Sequence, residues 1–266
     1  MVDVGSGPPL VLIPGIQGRW EWMLPAVTAL SRRHRVLTFS LGDVEAFDDW
    51  TRRVDAMLDR AGESSAVIAG VSFGGLIALR YAAQRPQRVR ALVLVSTPAP
   101  ACRLDRWTAR FVRYPRLALP LFSARGFVRL VPEILVARPT WLQRLRLGAE
   151  YGYRVIRAPI SPPRMARYVH AWQQIDLSGE CDAVHAPTLV LTGDPHLDRV
   201  VQVHTSVDYV RRIADARHDV LPGTGHVGLI SKPALFAETI DAFLDATAAA
   251  AAGAGAPPAR RARHAS

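Results

Sequence analysis

Six short aliphatic and β-branched runs constrain this chain more than any other feature. They are Leu10–Ile13, Arg35–Phe39, Ala66–Ala69, Ala91–Val95, Thr188–Leu191 and His218–Leu221, bounded by Gly or Pro. Runs of this kind read as strands buried on both faces, as in a parallel sheet. Helical patterns lie between them. Phe47, Trp50, Val54, Met57 and Leu58 fall at i, i+3, i+7, i+10 and i+11, which makes one apolar helix face. Leu76, Leu79 and Ala83 make a second. Leu235, Phe236, Ile240, Phe243 and Leu244 make a third, with Ser231 as its N-cap before Pro233. Strand–helix alternation predicts an α/β fold: a mostly parallel central sheet with helices on both faces.

The rhythm breaks between residues 99 and 170, where the chain is Arg-rich, Pro-punctuated and helical in character. Fourteen arginines there face only Asp105, Glu133 and Glu150, a balance of +11 in a chain whose net charge is +10. The positive excess therefore belongs to one segment. We read residues 99–170 as a helical, Arg-rich cap over the sheet's C-terminal edge, inserted between core segments 1–98 and 171–247. Residues 248–266 carry Ala, Gly, Pro and Arg without hydrophobic periodicity and read as a disordered tail. The two cysteines, Cys102 and Cys181, have no CxxC spacing, so they read as plain thiols in a reducing, cytoplasmic compartment. No apolar run approaches the roughly 18–20 residues that span a bilayer. Met1–Pro9 shows no basic region followed by an apolar stretch, so no signal peptide is expected.

The sharpest chemical signal is Gly70-Val71-Ser72-Phe73-Gly74, followed by Gly75. It comes after a strand-like run and before an amphipathic helix. In that context a tight strand-to-helix turn strains the serine backbone and lifts its hydroxyl above the sheet edge. Glycines two before and two after are required because side chains would collide in so sharp a turn. A serine that transfers acyl groups also needs donors for the developing oxyanion. One is the backbone N–H of Phe73, at the start of the helix. The other is expected from the loop after the first strand, Pro14-Gly15-Ile16-Gln17-Gly18.

In these two segments the chain resembles the α/β-hydrolase superfamily, over residues 5–98 and 180–246. Family members usually carry His-Gly-x in the first loop, with the amide of x donating. The resemblance therefore implies Ile16 as the second oxyanion donor, with Pro14 standing where the histidine is usual. Leu221-Pro222-Gly223-Thr224-Gly225-His226 places a histidine on a Gly-rich loop after the last strand, matching the family's Gly-His position. Histidine can take and return a proton near neutral pH. Of the others, His185 and His218 read as strand-edge residues and His34 as a surface one. The family acid follows the preceding strand as Gly-x-x-Asp, but that spacing from Gly193 gives His196. Reading back from Arg199-Val200-Val201 gives Asp198, with Asp194 as the alternative. The implied triad is Ser72, Asp198 and His226, in the fold's usual chain order. One further departure is Ser40-Leu41-Gly42-Asp43, where many relatives have Gly-x-Gly-x-Ser.

The resemblance implies a serine hydrolase that cleaves a carboxylic ester or thioester and needs no cofactor. The same constellation serves C–C bond hydrolases, enol-lactonases, cofactor-free haloperoxidases and acyltransferases, and a non-catalytic binding protein could share the fold. An aspartate at position 72, as an epoxide hydrolase or haloalkane dehalogenase requires, is absent. Asp194, His196, Asp198 and His204 lack the spacing of a metal site. No Gly-x-Gly-x-x-Gly loop follows the first strand, which argues against a dinucleotide.

Trp107, Phe111, Phe122, Trp141 and Trp172 are candidate walls of an apolar substrate pocket. Arg103, Arg106, Arg110 and Arg113 recur at steps of three, four and three and line one helix face, beside the apolar Leu104, Trp107 and Phe111. That face is either a solvated side of the cap or an attractor for an anionic partner. Such a partner would be a CoA ester, an acyl carrier protein or an acidic membrane surface. No nucleic-acid-binding motif accompanies it.

Overall fold

The computed structural model describes residues 1–254 except Glu45, Cys102, Arg103, Asp105, Arg138 and Pro139. Its strands are β1 (Val2–Val4), β2 (Pro9–Ile13), β3 (Arg35–Thr38), β4 (Ala66–Val71), β5 (Val89–Val95), β6 (Thr188–Gly193) and β7 (Ala216–Leu221). They form one sheet in the order β1-β3-β2-β4-β5-β6-β7. Every pairing is parallel except that of β1 with β3. The helices are α1 (Leu24–Leu30), α2 (Asp48–Ala61), α3 (Phe73–Gln84), α4 (Arg106–Arg113), α5 (Pro115–Ala137), α6 (Trp141–Arg157), α7 (Pro162–Gln173), α8 (Val203–Arg212), α9 (Gly228–Ser231) and α10 (Pro233–Ala254).

Alternation along the strands builds two cores. Val11, Ile13, Leu37, Ile68, Leu92, Leu94 and Val190 point to one face, where Trp50 and Leu58 of α2, Leu76 and Leu79 of α3 and Tyr209 of α8 cover them. Leu10, Leu12, Val36, Val67, Ala69, Val93, Leu189 and Leu191 point to the other, under Val27 of α1, Leu229 of α9 and Phe236 and Ile240 of α10. The period of two is what lets one strand feed both layers. Apolar burial stabilises by roughly 25 cal/mol per Å², so a strand covered on both sides gains twice over.

The structure differs from the sequence reading in a few places. Strand β1 was not expected. It has three residues, Val-Asp-Val, on an exposed edge, too short for a pattern to register. Helix α10 runs to Ala254, seven residues into the segment read as a disordered tail, because its added residues are mostly alanine, the best helix former. Residues 255–266 of that segment lie outside the described residues. Ser231 does not cap α10, since it ends α9 and its hydroxyl is engaged elsewhere. His34 is buried, with Nε2 2.6 Å from Asp241 Oδ1, and joins the α1–β3 turn to α10.

Between β5 and β6 the chain forms α4, α5, α6 and α7. The expected boundary at residues 170/171 falls inside α7, whose Met165, Ala166, Tyr168, Val169 and Ala171 are buried. Tyr168 stacks on Phe73 at 6.1 Å and meets Trp50 edge-on at 5.3 Å, so α7 is locked to the core layer. Among the described residues no helix is long and apolar enough to cross a membrane.

Candidate active site

Ser72 sits between the end of β4 and the start of α3 with φ 53° and ψ −120°. A non-glycine residue in such a conformation costs on the order of 1–3 kcal/mol, so its surroundings must enforce it. They do so through glycines. A methyl on Gly74 would lie 2.5 Å from the carbonyl oxygens of both Ile13 and Pro14. One on Gly70 would strike the Gly74 carbonyl, and one on Gly75 would strike Thr97. Their absence lets α3 close onto the ends of β2 and β5. The Ser72 N–H donates to the Val95 carbonyl at 2.7 Å, and the Ser72 carbonyl accepts from Gly75 N–H at 2.9 Å.

The loop after β2 passes beside this serine. Gly18 N–H closes a turn onto the Gly15 carbonyl at 2.9 Å, leaving Ile16 and Gln17 at its apex. A methyl on Gly15 would lie 3.6 Å from Ser72 Cβ. The loop is pinned by Leu41 N–H donating to the Gly18 carbonyl, and by Gly18, at φ +70°, lying against the Tyr168 ring. Phe73 supplies a first-turn amide of α3, one of the N–H groups that a helix cannot satisfy internally. Its ring is buried among Phe47, Trp50, Tyr168 and Trp172.

The loops after β6 and β7 bring an acid to the histidine. Asp198 Oδ2 lies 3.3 Å from His226 Nδ1. Asp198 Oδ1 accepts from the amides of Val200 at 3.1 Å and Val201 at 3.0 Å, and the residue is only 5% exposed. Burial pushes its carboxyl up, but the His226 hydrogen bond and charge, with the two amides, outweigh burial and hold it below the ordinary range. Asp194 is used differently. Its carboxylate accepts from Gly223 N–H at 2.7 Å, and its own N–H donates to the Thr224 carbonyl at 2.8 Å. It staples the two loops together, while Asp198 faces the imidazole. Gly193 and Gly225 are also in close apposition, since a methyl on Gly193 would lie 2.5 Å from the Gly225 carbonyl oxygen.

One residue that sequence reasoning missed also meets this loop. Glu133, near the end of α5, is fully buried. Its Oε2 accepts from Val227 N–H at 3.0 Å, and its Oε1 accepts from the Ser231 hydroxyl at 3.2 Å. The Gly225 amide is a further donor. The inserted helices therefore grip the residues on both sides of His226. Burial raises the Glu133 carboxyl, against the pull of those three donors and of the His226 charge. The available signal was a lone carboxylate inside the otherwise apolar stretch Leu130–Ala137 of a segment rich in arginine.

The aromatic candidates separate. Trp172 is half-buried against Phe73 and donates from Nε1 to the Pro100 carbonyl at 3.0 Å. Phe111 is buried, and with Trp107 it lines a groove of about 420 Å³ between α4 and α5, where Arg125 lies over the Trp107 ring. Trp141 does not join them. It is 68% exposed, because α6 starts there, after the Thr140 cap, and leaves Leu142, Leu145 and Ile156 open as well. The Phe122 side chain and Arg103 lie outside the described residues. Cys181 is a buried free thiol whose burial pushes it up to about 11, so it is not a competing nucleophile.

A mostly parallel sheet, a strained serine between β4 and α3 and an acid–histidine pair beyond β6 and β7 define an α/β hydrolase. A family model described as the alpha/beta hydrolase family matches residues 10–239, and the chain belongs to that family, an enzyme of hydrolytic type. It is 28% identical over 253 residues to a pimeloyl-[acyl-carrier protein] methyl ester esterase of Nitrosomonas europaea, covering 90% of this chain and 96% of that one. It is 24% identical over 249 residues to a putative carbamate hydrolase, RutD, of Azorhizobium caulinodans, covering 90% and 92%. Among solved structures, the enol-lactonase of Burkholderia xenovorans LB400 superposes with a TM-score of 0.76 at 21% identity, over 92% of this chain and 95% of that one.

Proposed function

We propose that this protein hydrolyses a carboxylic ester or thioester through an acyl-enzyme on Ser72. The observation that carries the reading is the serine held at positive φ beside the Gly15–Gly18 turn, with the Asp198–His226 pair on the same edge of the sheet. Ser72 Oγ attacks the carbonyl carbon as its proton passes to His226 Nε2. The tetrahedral oxyanion accepts from the amides of Ile16 and Phe73. His226 then protonates the departing alkoxide or thiolate as the C–O or C–S bond breaks. Water repeats the sequence on the acyl-enzyme and regenerates the serine. Asp198 holds Nδ1–H and stabilises the imidazolium. Its depressed carboxyl supports this role, because it stays ionised wherever His226 can act as a base.

Residues 99–170 act as the cap, with Phe111 and Trp172 supplying apolar walls for the acyl group. The positive balance of this segment supports an acyl group delivered on an anionic carrier, CoA or an acyl carrier protein. The relative named for an acyl-carrier-protein ester points the same way. Two cysteines without CxxC spacing support a cytoplasmic setting.

The test is fluorophosphonate labelling followed by a panel of esters and thioesters of increasing chain length, on wild type and Ser72→Ala. Labelling should be lost in the variant, and kcat should fall by about 10⁶. Ser72→Ala retaining a tenth of wild-type turnover would overturn the mechanism.

A further inference from the structure

A cleft of about 710 Å³ lies where the loop before α1, the loop after β3, the start of α5 and the start of α7 come together. Arg19, Arg116, Arg164 and Arg167 line it, with Asp43 the single acid among them. These four come from three separate stretches of chain and meet around one open depression. Asp43 accepts from Arg164 Nη2 at 2.9 Å and also from Arg167, so one carboxylate orients two guanidinium groups. Arg19 is steadied by Glu21 at 2.6 Å, yet its Nε is buried with no acceptor among the described residues. Arg116 has no acidic partner among them. Four guanidinium groups against Asp43 and Glu21 leave two net positive charges, together with many unused N–H donors, since each arginine carries five.

This charge and donor set fits one chemical class. A phosphoryl group carries at least one full negative charge at neutral pH and presents acceptor oxygens, which arginine pairs with in a fork geometry. The cleft is also tied to the catalytic loop. Arg19 is four residues from Gly15, whose α-carbon faces Ser72, so the two points are at most about 14 Å apart along the chain. The Gly18 carbonyl accepts from Leu41 N–H, and the Tyr168 hydroxyl donates to the Gly42 carbonyl at 2.7 Å, so the cleft and the oxyanion loop share their supports.

We propose that this arginine cleft binds a phosphoryl group of the substrate, carried on the leaving-group arm of the thioester whose carbonyl reacts at Ser72. The proposal rests on the esterase–thioesterase reading above and deepens it. It names a phosphorylated thiol as the leaving group and separates this site from the exposed arginines of α4. Free CoA and a protein-bound phosphopantetheine arm both carry anionic phosphoryl oxygens at the 4′ position, within a diphosphate in the first and a phosphodiester in the second.

The experiment uses the full chain and probes that differ only in phosphate. First, binding of pantetheine, 4′-phosphopantetheine and CoA to Ser72→Ala protein is measured by calorimetry at low and high salt. 4′-Phosphopantetheine should bind at least ten-fold tighter than pantetheine at low salt. The advantage should shrink at high salt and in Arg116→Gln/Arg167→Gln. CoA binding tighter still assigns the free cofactor as the source. Equal binding of CoA and 4′-phosphopantetheine assigns the protein-bound arm. Second, kcat/KM is compared for acyl-pantetheine and acyl-4′-phosphopantetheine. The preference for the phosphorylated thioester should fall about ten-fold in the double variant, and more in Arg116→Glu/Arg167→Glu. Absence of turnover with phosphate-dependent binding intact would refute the reaction but not the cleft. Equal binding of pantetheine and 4′-phosphopantetheine would overturn the cleft assignment, whatever the enzyme hydrolyses.

Discussion

Removing the Glu133 carboxylate should damage the active site from the insertion side. In Glu133→Ala, the amides of Val227 and Gly225 lose their acceptor while held in place by the loop backbone, whereas the Ser231 hydroxyl can rotate. Each stranded buried donor costs about 1–3 kcal/mol, so the two together cost roughly 2–6 kcal/mol. Relief of the buried charge offsets part of this, leaving a net loss of about 2–4 kcal/mol. For a chain of this size that corresponds to a fall of roughly 4–7 °C in Tm. Because the donors flank His226, turnover should suffer too, by up to about 10²-fold, the cost of a displacement near 1 Å at a reacting group.

The pH dependence gives a second measurement. Burial holds the Glu133 carboxyl above its unfolded value of about 4.3, so its contribution to stability is largest below that value. It declines as pH rises through the folded value. Glu133→Gln cannot ionise and lacks this slope, so its stability relative to wild type should improve from pH 4 upward and then level off. Urea unfolding across pH 4–8 and kcat on a neutral ester would measure both effects. A Glu133→Ala protein with wild-type Tm and kcat within two-fold would refute the argument that α5 holds the histidine loop.

Three more substitutions test the site and its frame. Asp198→Asn should lose about 10⁴ in kcat near neutral pH, while Asp194→Asn, which keeps an acceptor for Gly223 N–H, should lose a few-fold at most. The reverse order in steady-state assays would move the acid to Asp194. Gly74→Ala should destabilise by about 2–3 kcal/mol, because its methyl must displace two backbone carbonyls. An unchanged thermal midpoint would show that the turn at Ser72 does not need the close approach of α3 to β2.

Much of this molecule was legible in the sequence where a requirement is local. The strands β2 to β7 were placed to within about two residues. Strands β2 to β6 are largely apolar runs that the sheet buries, whereas β7 is an edge strand with Arg217 and Asp219 exposed, legible only from its Val220-Leu221 end and the Pro-Gly that follows. The turn at Ser72 was legible because sterics demand glycine at fixed offsets from the serine, and the Gly-rich loop around His226 makes a similar local demand. The three residues of β1 carry no such demand, and neither do the alanines that extend α10. Their state is decided by edge pairing and by helix propensity.

Partner choice for a charged side chain is a different kind of information. Asp194 and Asp198 sit four residues apart on one loop, and nothing local separates them. The separation comes from Gly223, 29 positions away, which takes the Asp194 carboxylate and leaves Asp198 to the imidazole. Glu133 is more remote still, since its partners Val227 and Ser231 lie 94 and 98 positions along the chain. The arginine cleft shows why counting charge by segment has a limit. The excess over residues 99–170 is real, but two of the cleft's charged residues, Arg19 and Asp43, come from the core. A segment count places the positive charge in residues 99–170 without saying which of those arginines meet. Only the packing of α7 against the loops after β2 and β3 gathers Arg164 and Arg167 with Arg19, and so makes a surplus of charge into a site with a shape.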